Sequence, residues 1–543
     1  MRPSLRFTAG FWFLSLIGVA APCRGDDAAL AAALDGLKSS NFQTKSEAVT
    51  RIADSSAGQA YAVLHALLEG ELFVRQADDS VIIATEAGGE LNALDAASGK
   101  DLGSVDQGDL KKIIINNQMR GALRSALARL SLRAPEARAR RHAVESLLNS
   151  LNPETLALLR ETLAVEQDES VRDAVRTALA LADLESTDLE SRRAAIATLS
   201  GSMHAEARNR LAALLEVDAA GVPREPDEAL RAEATAAVTR IDRKRVLYGL
   251  VETALFGLSL GFVLVLAATG LAITFGVMGV INMAHGELMM LGAYATWVVQ
   301  QLMPGHLELS LFAAVPAAFL VAAVAGIGIE RGVVRFLYGR PLETLLATFG
   351  VSLILQQTVR TIFSPLNRAV STPDWMSGQL VVNDALAITY NRLYIIVFSI
   401  AVFLALVGIL RYTTLGLQIR AVAQNRDMAR ALGVRVGWID AITFGLGSGV
   451  AGLAGVALSQ LTNVGPNLGQ SHIVDSFMVV VFGGVGNLWG TLVAGLSLGI
   501  ANKFLEPYAG AVLAKIFVLV FIILFIQRRP RGLFPQRGRA AEA

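Results

Sequence analysis

The sequence predicts an all-α polytopic membrane protein of about eight apolar segments with discontinuous helices, preceded by an exported, mainly helical domain with a small β insertion. Three observations carry this. The 543 residues are 53% hydrophobic and only 17% charged, with mean hydropathy +0.48; that is too apolar for one soluble globule and far from a disordered chain. The charge is unevenly divided: residues 1–245 hold 30 Lys/Arg and 35 Asp/Glu, net −5, whereas residues 246–543 hold 18 and 12, net +6. Uncharged runs of bilayer length begin just beyond Arg243-Lys244-Arg245. The overall net charge of +1 gives no field for a polyanionic partner, so no nucleic acid is expected. The single cysteine, Cys23, rules out an intramolecular disulfide.

Residues 1–22 read as a signal peptide. Arg2 and Arg6 form a basic leader, Phe7 to Ala21 an apolar run too short to span comfortably, and Gly18-Val19-Ala20 a small-x-small cleavage pattern. Pro22 fits a lipoprotein signal at Cys23 poorly. Residues 23–245 then form the exported domain. A basic residue with apolar positions three and seven later recurs at Lys45/Ala48/Ile52, Arg140/Ala143/Leu147, Arg172/Val175/Leu179, Arg192/Ala195/Leu199 and Arg231/Ala234/Val238. Asp168, Asp188 and Asp227 are placed to cap helices. The pattern suits either a degenerate HEAT-type array or an ordinary helical bundle. Between residues 71 and 116 the rhythm breaks. Leu72–Val74, Val81–Ile83 and Ile113–Ile115 are β-type runs, and Leu94-Asp-Ala-Ala-Ser-Gly-Lys100 echoes one propeller blade, which alone makes no propeller. His65, His142 and His204 stand isolated, and no nucleophile–base pair or metal-ligand cluster assembles.

Residues 246–529 are the membrane domain. Thr253 to Ala284 is uncharged for 32 residues, longer than one crossing, and Gly270, Gly276 and Gly279 in its second half predict a helix that breaks. Further apolar segments fall at about 286–303, 310–330, 342–363, 393–410, 439–460, 476–502 and 509–527. Arginines cluster at 331–340, at 411–435 and at 528–539, the last running into the basic tail 530–543, which places these three on the cytoplasmic side. An even number of crossings must then separate the second cluster from the tail, although three segments lie there. The middle one holds Gly483, Gly484, Gly486 and Gly490, so it is predicted to be discontinuous. Arg243-Lys244-Arg245 sits against this scheme on the outer side.

Three segments carry a family resemblance. Gly270-Leu-Ala-Ile-Thr-Phe-Gly-Val-Met-Gly-Val-Ile-Asn-Met-Ala-His-Gly-Glu287, Phe482-Gly-Gly-Val-Gly-Asn-Leu-Trp-Gly-Thr491 and Arg420-Ala-Val-Ala-Gln-Asn-Arg-Asp-Met-Ala-Arg-Ala-Leu-Gly-Val434 resemble the branched-chain amino acid permease family of ABC importers, across residues 246–530. The long exported extension and Gln527-Arg-Arg-Pro-Arg-Gly-Leu-Phe-Pro535 resemble its urea-importer branch. The resemblance implies a membrane-spanning permease working by alternating access, without chemistry on the solute and without a cofactor. It also implies a second permease forming a heterodimer, two ATPase subunits and an extracytoplasmic solute-binding protein. No Gly-x-x-x-x-Gly-Lys-Ser/Thr loop occurs in the sequence, so ATP hydrolysis is assigned to separate subunits.

The residues agree with that role. In the 411–438 loop, Asn425 or Asp427 can cap a short helix that Gly433 ends, with Arg420, Arg426 and Arg430 facing an ATPase groove; a merely solvated positive loop is the plainer alternative. Urea is small, planar and neutral, with four N–H donors and one carbonyl. Asn282, His285 and Glu287 at the first break and Asn487 at the second are the candidate pathway groups, since polar groups at membrane depth usually face a cavity or the bundle interior. A cap role for Asn282 and a first-turn dipole role for Glu287 stand beside that reading. Gln356, Gln357 and Gln460 are second-tier candidates. An amino acid zwitterion needs paired charges, and an ion-coupled transporter needs mid-membrane ionisable groups, for which Glu287, Glu330, Arg360, Asp475 and Lys515 are the only material.

Overall fold

The computed structural model describes residues 24–534 except 40, 56–58, 88–89, 106, 149–150, 218–220 and 384. The signal peptide, Cys23 and tail residues 535–543 lie outside the described residues. The chain divides between Asp242 and Arg243 into two compact units.

In the first unit α1 (Arg24–Leu37), α2 (Phe42–Asp54), α3 (Ala60–Glu69) and α4 (Asn117–Ser131) share a core around Leu30, Ile52, Leu64, Leu67, Leu72 and Leu123. Lys45 enters that core by its stem and donates from Nζ to the Ile114 carbonyl at 2.8 Å; burial lowers its pKa from the ordinary lysine value. Between α3 and α4 lies an antiparallel sheet of β1 (Leu72–Arg75), β2 (Val81–Ala87), β3 (Glu90–Asp95), β4 (Asp101–Val105) and β5 (Leu110–Lys112), in the order β4-β3-β2-β1-β5. The first two predicted β runs are strands. The third is displaced: the strand is Leu110–Lys112, because pairing with β1 stops at Phe73↔Lys112 and Ile113 turns into the core. The propeller-like stretch is the β3–β4 turn. Asp95 Oδ1 accepts from Ser98 N at 2.8 Å, and Gly99 takes φ +69°.

A second cluster follows from α5 (Ala137–Leu147), α6 (Pro153–Val165), α7 (Glu169–Asp183), α8 (Leu189–Leu199), α9 (Ala205–Ala213) and the first turns of α10 (Glu228–Met278). The predicted caps are in place. Asp168 accepts from Ser170 N at 2.9 Å, Asp188 from Ser191 N at 2.9 Å and Asp227 from Leu230 N at 3.0 Å. A Glu-x-Asp element repeats ahead of two of these helices, and each time the glutamate meets an arginine of an earlier helix: Glu166 with Arg140 at 2.7 Å, Glu225 with Arg192. The fork from Arg140 holds the Glu166 carboxyl at about 2, well below its ordinary value.

The second unit is helical from the rest of α10 through α11 (His285–Leu302), α12 (Leu307–Gly332), α13 (Pro341–Phe363), α14 (Tyr390–Tyr412), α15 (Thr414–Gln424), α16 (Arg426–Ala431), α17 (Val436–Ser459), α18 (Leu468–Gly483) and α19 (Leu488–Arg528), with a hairpin of β6 (Gln379–Asn383) and β7 (Leu386–Thr389) before α14. Among the described residues six helices are long and apolar enough to cross a membrane: α10, α12, α13, α14, α17 and α19. The expected eight segments are therefore not matched one for one. Segment 253–284 stops at Met278, and segment 476–502 is shared between α18 and α19.

Burial sorts these helices. The most apolar stretches of α17 and α10 are 89% and 78% buried, whereas those of α12, α13, α14 and α19 are between 17% and 28% buried. Thus α10 and α17, with α11 between them, form the centre. Glycine makes this possible. Gly447 lies against the Gly270 backbone and Gly452 against that of Gly292, where a Cβ would collide.

Gly510, at φ +76° inside α19, turns that helix back on itself. Its second arm runs beside α18: Lys515 Nζ donates to Asp475 Oδ2 at 2.8 Å, and Phe525 meets Phe482 at 4.8 Å between ring centroids. Four legs (α17, α18 and the two arms of α19) thus separate the 411–435 loop from the tail, and that number is even.

Candidate functional site

The first break begins where α10 ends at Met278. Gly279 adopts φ +64°, and residues 279–284 are not helical. Asn282 is fully buried; its Oδ1 accepts from Ala284 N at 3.0 Å, and its carbonyl accepts from His285 N at 3.3 Å. This local turn sets the start of α11, so Asn282 acts two residues ahead of the cap position. His285, also fully buried, donates from Nε2 to the Ala267 carbonyl at 2.8 Å, which ties α11 to the interior of α10. Glu287 lies in the first turn of α11, and its Oε1 accepts from Ser352 Oγ at 3.1 Å. Among the described residues Asn282 Nδ2, His285 Nδ1 and Glu287 Oε2 are buried without a hydrogen-bond partner. Three polar atoms within six residues are thus left free for something other than this chain.

The second break lies between α18 and α19. Gly484 and Gly486 take φ +104° and +76°. Gly483 is the last helical residue of α18, and Gly276 lies inside α10, so the backbone departures are at Gly279, Gly484 and Gly486. Gly276 nevertheless marks the meeting of the two breaks, because its backbone touches that of Gly486. Asn487 is half-buried and caps α19. Its Oδ1 accepts from Gly490 N at 3.1 Å and its Nδ2 donates to the Phe534 carbonyl at 3.3 Å. Both ends of that amide are occupied, which sets Asn487 apart from the three residues at the first break. The segment after α19 closes over this turn through Leu533 N to Phe482 O at 2.9 Å and Phe534 N to Gly483 O at 3.2 Å.

The loop from 413 to 435 folds as two short helices. Asn425 caps α16, accepting from Met428 N at 2.9 Å, while Asp427 pairs with Arg430 at 3.4 Å on the surface. Gly433, at φ +87°, ends the helix: its N–H reaches Arg430 O, and Val434 N reaches Ala429 O at 3.0 Å. The arginines part company. Arg430 is exposed, Arg420 donates to the Leu410 carbonyl, and Arg426 turns inward to Asp440 at 2.5 Å beneath the Tyr338 ring. Leu417, Met428 and Leu432, on α15, on α16 and just after it, are 61%, 58% and 78% exposed, apolar side chains left uncovered by the described residues.

Sequence reasoning missed the groups facing these sites from α13. Thr348 accepts from Met283 N at 3.1 Å, and Ser352 holds Glu287. The available signal was polar residues every fourth position, from Thr344 to Arg360, in an otherwise apolar segment.

Residues 253–526, from the centre of α10 to the end of α19, match the family described as branched-chain amino acid transport system / permease component. The chain belongs to the branched-chain amino acid permease family. It is 31% identical over 287 residues to the high-affinity branched-chain amino acid transport system permease protein LivH of Escherichia coli K12, covering 51% of this chain and 92% of that protein. It is 29% identical over 297 residues to BraD of Pseudomonas aeruginosa, covering 53% and 96%. Similarity extends to the ribose import permease protein RbsC of Escherichia coli K12, 29% over 254 residues, covering 45% and 75%. No solved structure matches. As a member of this permease family the chain is a transport subunit, not an enzyme.

Proposed function

We propose that this permease is the membrane-spanning subunit of an ABC importer that carries urea across the inner membrane by alternating access. The observation that carries the reading is the first break, where Asn282 and Glu287 leave polar atoms free and the facing side chains Thr348 and Ser352 are neutral. The N–H groups of a small neutral solute find an acceptor in Glu287 Oε2 and its carbonyl finds a donor in Asn282 Nδ2, without a fixed charge for each end. Relatives named for amino acids and for ribose stand at almost the same identity, so overall likeness does not choose the solute. A branched-chain amino acid is the second reading. The relatives' names favour it, as do Glu287 and Arg360, opposite charges that would suit a zwitterion.

The apolar face of α15 and α16 is the seat for an ATPase subunit, and a related permease completes a heterodimer. The exported unit, read as a HEAT-like helical array, docks the solute-binding protein. The first unit then lies outside, and the 333–340 turn, the 413–435 loop and the tail lie in the cytoplasm. The deciding experiment is uptake of labelled urea by membranes carrying the full set of subunits, with leucine and acetamide as competitors. Urea uptake that needs ATP and resists leucine supports the reading; leucine uptake without urea uptake overturns it.

A further inference from the structure

Helix α13 carries Thr344, Thr348, Ser352, Gln356 and Arg360, each four residues after the last, on an inclined ridge of a helix whose apolar stretch is only 22% buried. Every member bonds to a group in a turn or at the start of a helix. Thr344 Oγ1 donates to the Leu337 carbonyl at 3.0 Å, in the turn before α13. Thr348 Oγ1 accepts from Met283 N at 3.1 Å, in the first break. Ser352 Oγ donates to Glu287 in the first turn of α11 at 3.1 Å. Gln356 Nε2 donates to Gln470 Oε1 in the first turn of α18 at 3.4 Å, and Arg360 Nη2 donates to Asn467 Oδ1, at the cap position of α18, at 2.7 Å.

Bonds of this kind serve as helix–helix glue in membranes. Two features go beyond glue. Glu287 Oε2 and Asn282 Nδ2 stay without partners although both residues are at least 99% buried, whereas a closed adhesive contact would satisfy them. Asn467, Gln470 and Ser471 are exposed beside the ridge, so solute can reach it. We propose that the α13 ridge at Ser352 and Gln356, with Glu287 and Gln470 opposite, is the solute-contacting wall of the translocation path, taking a small neutral amide by exchange of hydrogen bonds.

Resting on the urea reading for its solute class, this wall works by substitution. A rung such as Gln356–Gln470 is amide bonded to amide, and a urea-like solute offers the same donors and acceptor. Opening that rung breaks one hydrogen bond, and the donor and acceptor it frees each bond the solute, so neither amide is left unpaired. Glu287 Oε1 and Oε2 and Gln470 Oε1 accept from its N–H groups; Ser352 Oγ, released from Glu287 Oε1, and Gln356 Nε2 donate to its carbonyl.

The chain's one cysteine makes the test direct. With Cys23→Ser as background, Ser352→Cys, Gln356→Cys, Gln470→Cys and the control Thr358→Cys are each assembled with all partner subunits and treated with a charged methanethiosulfonate reagent. Thr358 is exposed on another face of α13 and bonds only back to Ile354. Saturating urea should slow modification at 352, 356 and 470 at least fivefold and leave 358 unchanged. Equal rates with and without solute at the three ridge positions, or equal slowing at 358, overturn the proposal. If Gln356→Cys does not assemble, Ser352 and exposed Gln470 carry the test. Protection by leucine but not urea keeps the wall and removes the urea reading; urea uptake without protection removes the wall alone.

Discussion

Arg426 lies 2.5 Å from Asp440, and its guanidinium sits 4.8 Å from the centre of the Tyr338 ring. Tyr338 in turn donates to Glu330 at 3.0 Å, so one arginine of α16 is tied to α17 and to the turn that leads into α13. A load applied to the exposed apolar face of α16 reaches two helices of the unit through this residue.

Replacing Arg426 with alanine strands Asp440, which is 1% exposed. Removing one partner of a fully buried pair costs about 3–5 kcal/mol; with Arg426 one-third exposed the cost here is smaller. We expect Arg426→Ala to lower solute uptake at least tenfold while ATP hydrolysis loses its dependence on solute, and Asp440→Asn in the same chain to recover part of the assembly but not the coupling. Paired measurements of uptake and hydrolysis on reconstituted transporter check this. Undiminished coupling in Arg426→Ala would remove the link.

The contact between Gly276 and Gly486 leaves no room for a methyl group, and Gly486 also holds φ +76°. Left-handed backbone costs an L-residue about 1–2 kcal/mol. Gly486→Ala should lower the thermal midpoint of the purified chain modestly. Gly276→Leu should separate the two breaks and abolish uptake while the protein still reaches the membrane. Wild-type uptake by Gly276→Leu would show that the breaks need not touch.

Much of this arrangement was legible beforehand because it rests on local chemistry. Asp168, Asp188, Asp227 and Asn425 cap helices through bonds to the next three residues, and Gly433 ends α16 by its own φ. The break at Gly484–Gly486 followed from glycine density and from arginine parity. What escaped is what depends on distant partners. Nothing near Ser352 announces Glu287, 65 residues away, nor does Asn487 reveal that its amide is taken by Phe534. Strand β5 was misplaced because three isoleucines looked like a strand, while the neighbouring strand, not propensity, fixed the register.

Asn487 joins the second break to the end of the chain. Asn487→Ala removes a helix cap, an effect of about 1 kcal/mol, and releases the Phe534 carbonyl. Hydrogen exchange should quicken in residues 484–490 and 529–534 together, and truncation after Arg528 should quicken 482–490 similarly. Faster exchange confined to the start of α19 would mean that the strap holds itself.

The Arg140–Glu166 pair gives the first unit a definite acid sensitivity. The Glu166 side chain is only 5% exposed, and the arginine fork holds its carboxyl at about 2 instead of the ordinary 4.5. A carboxylate depressed in the folded state stabilises it fully above the unfolded value. The contribution is therefore intact at pH 7, falls as the pH drops below about 4.5, and is gone near pH 2. Glu166→Gln cannot accept that fork as an anion and should lose about 2 kcal/mol at neutral pH, the scale of hydrogen bonds to a charged group. Exchange in α5 and α7, compared between wild type and variant at the same pH in the full chain, should differ most at pH 7, with the gap clearly narrowed by pH 3. A gap that stays constant from pH 7 to 3 would mean that Glu166 acts through packing and not through its charge.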